Sequence, residues 1–487
     1  MGEHGRPARW VVLAFAALMA VCVPGLGAAQ QLAASSPFDL EGHWEGEIVL
    51  PSGALQVMID FAAGVDGWTG TIDIPVQAAQ DLPLIDISVD GPRARFTIAG
   101  VPGNPTFAGL FRDGELAGSF TQGAARLDFR LAREAVLVPP RPQDPQPPYP
   151  YSAHEVSYSN GELTLAGTLT VPPGSGPFPA AVLLSGSGAQ NRNGELFNHR
   201  PFQLWADVLT RRGIAVLRSD DRGVGGSGGD VQSATSADFA DDALAAVDLL
   251  RARADIAADR IGLIGHSEGG LVGPLAASRA KSVAFVVMLA GPGVPGAEIL
   301  PLQAERMALA AGGAPETVLQ QGKLLREIVA QLLSEKDEEK LRTALADLAR
   351  RQLELGGEAA RQALGDDPEA AIDSQIEALC TPWFRFFLAY DPRPALTALE
   401  VPVLAVNGSL DLQVVAEQNL PAIRAALDAA GNEDATVVEL EGLNHLFQQA
   451  VTGTLVEYGQ LEQTLAPEVL ELVGDWLVER FVVVPSG

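Results

Sequence analysis

Cysteine is almost missing from this chain: Cys22 and Cys380 are the only two among 487 residues. A disulfide-stapled scaffold, a thiolate zinc site and an iron–sulfur centre are thereby excluded, because each needs several cysteines at fixed spacing. Histidine is sparse as well, at six, and no cluster of cysteine and histidine has metal-ligand spacing, so neither a metal nor another cofactor is expected. Cations are the minority charge: Lys+Arg 33 against Asp+Glu 61 leaves a formal net charge of −28. Nucleic-acid phosphates and anionic lipid headgroups would be repelled by such a surface, so neither is expected as a partner. The acidic residues are spread rather than gathered in a tail, which reads as solubility. Long apolar runs are missing except near the amino terminus, where Arg6 and Arg9 precede Trp10–Val23 and then Gly27-Ala-Ala29. A charged start, an apolar stretch too short to span comfortably and a small-residue site predict a signal peptide over 1–29 cleaved near Ala29, with an uncleaved anchor as the alternative. Export implies a secreted or periplasmic protein that leaves the membrane after cleavage. Cys380 would then be the one cysteine left, and stability must come from packing.

What the chain does have is apolar content, 47% of residues, enough for two cores in a chain of this length. A proline-rich linker, 136–151, divides it: Pro139-Pro-Arg-Pro-Gln-Asp-Pro-Gln-Pro-Pro-Tyr-Pro150 supports neither helix nor central strand and predicts an extended, stiff spacer. Before it, residues 38–135 alternate apolar and polar in eight short runs: Trp44–Leu50, Leu55–Phe61, Trp68–Ile74, Ile85–Val89, Ala94–Ile98, Thr106–Phe111, Glu115–Phe120 and Ala125–Leu131. Period-2 runs at regular spacing predict an all-β antiparallel barrel or sandwich. After it, 152–487 mixes apolar strands with helical stretches, interrupted at 297–394 by a segment rich in Ala, Leu, Glu, Gln and Arg with apolar residues at helical spacing, such as Leu324, Ile328 and Leu332. This predicts an all-helical insertion. Its aromatic end, Trp383, Phe384, Phe386, Phe387 and Tyr390, suits either a substrate pocket or ordinary core.

The chemistry concentrates at Leu263-Ile-Gly-His-Ser-Glu-Gly-Gly270, where Ser267 stands inside Gly-x-Ser-x-Gly between the strand Arg260–Ile264 and a small-residue helix, Leu271–Arg279. A strand-to-helix turn that tight needs glycine two residues before and after the serine, and it lifts the hydroxyl toward a substrate. A serine nucleophile needs a base. His4 lies in the targeting segment, His43 and His154 lie outside or at the edge of the catalytic region, His199 precedes the nucleophile, and His266 is read as pointing away from its neighbour. His445, in Gly442-Leu-Asn-His-Leu-Phe447 after the strand Ala435–Leu440, is the candidate that follows the serine. The order serine, acid, histidine places the third member after the strand Val401–Val406, where Asp411 stands, with Asp391 and Glu417 as weaker candidates and helix capping as the competing role. Donors for an oxyanion are expected from the backbone N–H of Glu268 and, in the loop Ser185-Gly-Ser-Gly188 after the strand Ala180–Leu184, from the N–H of Ser187, with Gly188 second. The Glu268 side chain reads as solvated or supporting rather than as a catalytic acid.

Two further runs carry a resemblance. Asp220-Asp-Arg-Gly-Val-Gly-Gly-Ser227 is similar to the Asp-x-Arg-Gly-x-Gly-x-Ser loop, and Gly442–Gln448 to the histidine segment, of α/β-hydrolases. The first run lacks the Gly-Lys-Ser/Thr ending of a phosphate cradle and reads instead as a turn packed beside the elbow. With the Gly-His-Ser-Glu-Gly-Gly elbow, residues 152–487 resemble the bacterial serine carboxylesterase and serine aminopeptidase-like group of that superfamily. The resemblance implies an α/β-hydrolase fold, a mostly parallel central sheet flanked by helices, with the helical insertion as a cap. It also implies hydrolysis of a small-molecule ester through Ser267, His445 and Asp411 and an acyl-enzyme. An aminopeptidase or amidase, and an acyltransferase or thioesterase, are the alternatives on the same triad. Ser185 stands where many relatives have histidine. Acyl and alcohol specificity and the oligomeric state stay open.

Overall fold

The computed structural model describes residues 40–133, apart from short segments at 51–52, 65–66, 75–78, 100, 102, 104, 113 and 123–124, together with 141–364 and 368–482. The expected signal peptide, 1–29, and the start of the linker lie outside these residues. Contacts divide the chain into two compact units, one built from Pro140–Ala310 and Cys380–Gly487, the other from the segment ending at Pro139 and Ala311–Leu379, each in its described residues.

Each of the eight alternating runs forms a strand: β1 Gly42–Leu50, β2 Gly53–Gly64, β3 Gly67–Ile74, β4 Ala79–Asp90, β5 Arg93–Ile98, β6 Thr106–Arg112, β7 Glu115–Gln122 and β8 Ala125–Ala132. Each pairs with the next, and β1 also pairs antiparallel with β8, so the sheet closes into a barrel rather than a sandwich. Closure removes the exposed edges that an open sheet would carry. Gly46 sits where β1 faces both Val57 and Leu131, and a Cβ there would stand 1.8 Å from the Arg130 carbonyl oxygen. The interior is filled by side chains: Phe107 stacks on Phe96 at 4.7 Å, with Phe120 and Phe129 edge-on at 4.8 and 5.0 Å. An eight-stranded barrel is just wide enough for such filling.

The unit of Pro140–Ala310 and Cys380–Gly487 begins with the part of the linker that is described. The spacer expected there is fastened rather than free, because the Arg141 guanidinium donates to the carbonyls of Leu461, Phe197 and Gly459 at 2.8–3.0 Å and Gln143 bonds Thr464 and Leu465. An eight-stranded sheet follows: β9 Ser152–Asn160, β10 Leu163–Val171, β11 Phe178–Leu184, β12 Ala215–Ser219, β13 Ile256–His266, β14 Val286–Leu289, β15 Val403–Gly408 and β16 Ala435–Leu440. Its order is β16-β15-β14-β13-β11-β12-β10-β9, parallel from β16 to β12, with β10 antiparallel to both its neighbours. Apolar runs such as Val286–Leu289 are buried throughout because helices cover both faces. α1 Pro201–Arg211 and α12 Pro467–Phe481 pack on one face; α2 Ser236–Arg251, α3 Gly269–Arg279 and α10 Ala416–Ala429 pack on the other.

Between β14 and β15 the chain is helical, as the composition predicts: α4 Gly296–Ala310, α5 Pro315–Ser334, α6 Glu338–Leu364, α7 Pro368–Leu379, α8 Pro382–Ala389 and α9 Arg393–Thr397. α5–α7 belong to the unit that contains the barrel, while α4, α8 and α9 belong to the unit that contains the eight-stranded sheet β9–β16. In α5 the buried residues Leu324, Leu325, Ile328, Val329 and Leu332 form the apolar stripe. α11 Leu455–Gln460 lies between β16 and α12.

Candidate active site

β13 runs in the interior of the sheet between β11 and β14, and its carboxyl end opens into the elbow. Ser267 there has φ +54°, a left-handed conformation that a side chain rarely adopts and that the surrounding hydrogen bonds hold in place. Its N–H donates to the Leu289 carbonyl at 2.8 Å, and its carbonyl accepts from the Gly270 N–H at 2.8 Å. The flanking glycines are required sterically. A Cβ at Gly265 would lie 1.9 Å from the Gly269 carbonyl oxygen, and one at Gly269 would lie 2.2 Å from that of Leu184.

The two other residues expected in the site meet each other. His445 Nδ1 and Asp411 Oδ2 are 2.8 Å apart, with the residues 4% and 2% exposed. The second Asp411 oxygen, Oδ1, accepts from the N–H groups of Gln413 and Val414 at 2.8 and 2.9 Å, so the capping role and the pairing with His445 coexist. A carboxylate accepts, so Nδ1 carries the proton and Nε2 is left as the acceptor. His266 packs on the histidine loop: its ring lies 4.8 Å from that of His445, and its Nε2 donates to the His445 carbonyl at 2.9 Å. Burial, with the neighbouring His445, pushes His266 down to about 3 and keeps it neutral. Tyr458, 1% exposed, accepts at its hydroxyl from Gln413 Nε2 at 3.1 Å and from the His445 N–H, joining the acid loop to the histidine loop. Asp411 and His445 are thus fastened to each other, and His445 to the elbow.

The other candidates are engaged elsewhere. His199 is buried between Thr464 and the Tyr458 carbonyl, and burial pushes it down to about 4. His154 bonds Ser152, and His43 lies on the barrel beside Asp60 and Glu45. Asp391 forms a bidentate pair with Arg393, and Glu417 pairs with Arg306.

The loop after β11 passes against the elbow. A Cβ at Gly186 would come within 3.2 Å of the Ser267 Cβ, so the glycine between Ser185 and Ser187 lies against Ser267. Ser185 donates its hydroxyl to Asp221 Oδ1 at 2.6 Å, and the Gln190 N–H donates to Asp221 Oδ2 at 2.8 Å. Of the two readings of the Glu268 side chain, solvated or supporting, burial rules out the first: it is 2% exposed and accepts from Ser236 Oγ at 2.6 Å and Trp383 Nε1 at 2.8 Å. Burial raises its pKa against these bonds and the interaction with Ser187. The indole that reaches it belongs to the aromatic end of the insertion, where Trp383 stacks on Phe387 at 5.7 Å. Asp220–Ser227 forms the expected turn: Asp220 holds Arg192 and the Gly226 N–H, and Ser227 bonds the Asp220 carbonyl. Asp221, His266 and Tyr458 are the residues whose contacts the sequence reading missed. Asp221 lay inside a recognised motif, whereas Tyr458 carried no signal.

An interior strand that ends in a glycine-flanked serine, and a carboxylate-bonded histidine packed on the residue before that serine, make up the candidate site. The sequence profile of the alpha/beta hydrolase family matches residues 181–453, and the chain belongs to that family. It is similar to the esterase EstD of Thermotoga maritima, 25% identical over 375 residues that span 76% of this chain and 75% of that protein. Similar solved structures include the α/β-hydrolase GrgF from Penicillium sp. sh18, at 19% identity and TM-score 0.42 over 69% of this chain and 100% of that one. The Pyrococcus furiosus esterase Pf2001 is another, at 16% identity and TM-score 0.39 over 69% and 92%. The protein is an esterase-like hydrolase.

Proposed function

We propose that the protein is a serine carboxylesterase of the carboxylesterase and aminopeptidase-like group, acting on small-molecule esters. The observation that carries this reading is the buried Asp411–His445 pair, fastened through His266 to the elbow that bears Ser267. In the mechanism, His445 Nε2 takes the proton of Ser267 Oγ as that oxygen attacks the ester carbonyl. Asp411 holds the imidazole in the required tautomer and stabilises the imidazolium. The N–H groups of Glu268 and Ser187 receive the oxyanion. His445 then protonates the departing alcohol, leaving an acyl-enzyme on Ser267, and water, deprotonated by the same histidine, releases the acid and restores the serine. We further propose that the amino-terminal segment directs export to the periplasm or beyond.

Turnover of residues 30–487 and of the Ser267→Ala variant tests this, using p-nitrophenyl esters of graded acyl length beside aminoacyl and prolyl p-nitroanilides. Ester cleavage is expected with little anilide cleavage, and the variant should lose nearly all of it and resist labelling by an organophosphonate. Full activity in Ser267→Ala would overturn the nucleophile assignment. Preferential anilide cleavage would move the enzyme to the aminopeptidase side of the group.

A further inference from the structure

Two carboxyl groups, those of Asp221 and Glu268, stand beside the elbow, and neither takes part in the mechanism just described. Glu268 is buried and Asp221 is half-buried, and the charge of Glu268 raises the cost of ionising Asp221. Burial pushes Asp221 up to about 7 against its bonds from Ser185 and Gln190, with the charge of Glu268 adding to the rise. Among the described residues their hydrogen-bond partners are hydroxyls, an indole N–H and a main-chain N–H, with no arginine or lysine. Buried carboxyl groups without a cation are costly to keep, so their retention calls for a local purpose.

The partners indicate one. Asp221 receives Ser185 at the start of the loop 185–190 with one oxygen and Gln190 at its end with the other, so a single side chain closes the loop into a ring. Glu268 follows the nucleophile and joins the start of α2, through Ser236, to Trp383 of α8, with Ser187 of the same loop interacting as well. We infer that Asp221 and Glu268 are positioning residues that fix the loop 185–190 against Ser267, so that its N–H groups are preset for the oxyanion. The inference rests on the serine-esterase reading, in which that loop supplies a donor. A donor fixed before the reaction stabilises developing charge without reorganisation, whereas one on a loosened loop must be brought into place at each turnover.

The test compares Asp221→Asn, Ser185→Ala and their double variant on a p-nitrophenyl ester, with active sites counted by organophosphonate burst and Ser267→Ala run beside them. Asparagine keeps one oxygen for the Gln190 N–H and puts a neutral amide N–H in place of the other, so the Ser185 hydroxyl must turn from donor to acceptor and the charge-assisted bond at that end of the loop is lost. A fall in kcat of roughly tenfold to a hundredfold is expected in each single variant, a fraction of the loss on removing an oxyanion donor outright. KM should stay within about twofold, because the change acts on the transition state. Since Ser185 and Asp221 act through one bond, the double variant should be little slower than the slower single variant. Glu268→Gln, which keeps the acceptor for Ser236 and Trp383, should retain more activity than Glu268→Ala. Unchanged kcat per active site, or losses that multiply fully in the double variant, would overturn the inference. Either result with an inactive Ser267→Ala leaves the esterase reading standing, whereas an active Ser267→Ala removes the reading itself. Should Asp221→Asn fail to fold, Ser185→Ala and Ser187→Ala, which leave both carboxyl groups in place, carry the same comparison.

Discussion

At the scale of the residue, Asp411 shows how one side chain meets two demands with two oxygens. Oδ1 accepts the N–H groups that open the turn toward α10, and Oδ2 accepts from His445. An asparagine could keep its carbonyl oxygen on the backbone donors and would then present an amide N–H to His445 Nδ1. Two donors cannot share a hydrogen bond, so the imidazole would shift its proton to Nε2, the atom that receives the serine's proton in the proposed mechanism. Asp411→Asn is therefore expected to lower kcat by about 10³–10⁴ while the capped turn, and with it the melting temperature, is largely kept. Steady-state kinetics together with a thermal melt check this; a variant that unfolds early but turns over normally per folded molecule would show that capping is the whole of its role. Asp411 and His445 could be found from the sequence because chain order and strand ends narrow the choice to a few residues. The alternatives Asp391 and Glu417 fall away only in three dimensions, where an arginine neutralises each.

At the scale of the element, the elbow is a junction between β13 and α3 that tolerates no side chain at its edges. Gly269 meets the Leu184 backbone, and backbone cannot swing aside as a flexible side chain would. Gly269→Ala is expected to cost at least about 4 kcal/mol, in the range reserved for gross steric conflict. Urea unfolding measures it, and a cost under about 1 kcal/mol would mean that the turn adapts. The junction was legible because its steric requirement is written in adjacent residues. The eight barrel strands were legible for a similar reason, since period-2 alternation follows directly from one face being buried. Closure of the barrel was not, because the pairing of β1 with β8 joins residues about 80 apart and leaves no local mark. The Asp221–Ser185 and Gln413–Tyr458 contacts escaped likewise, spanning 36 and 45 residues. The proline-rich segment was read from backbone stiffness alone, yet Arg141 and Gln143 decide its behaviour through carbonyls more than 300 residues away.

At the scale of the whole molecule, buried titratable groups give stability two opposing slopes with pH. Asp221 binds its proton more readily in the fold, near 7, than at its ordinary value of 3.8, and Glu268 is shifted the same way. Their contribution is fully present below the unfolded carboxylate values and is lost as pH rises through about 7 for Asp221. His199 and His266 shift oppositely, from 6.5 down to about 4 and about 3. Their contribution is fully present above 6.5 and is lost as pH falls through those values. Between about pH 4 and 6.5 the slopes compete, so the wild-type curve alone cannot separate them, and single variants can. Relative to wild type, Asp221→Asn should gain melting temperature from pH 4 to about pH 7 and level off above it, because the variant has no carboxylate to ionise inside the fold. His199→Gln, which keeps polar atoms for Thr464 and the Tyr458 carbonyl, should gain in the other direction, as pH falls below 6.5. Difference curves that run flat for both variants would show that neither group changes its proton affinity on folding. A flat curve for Asp221→Asn alone would mean that its carboxylate is as well served in the loop as in water.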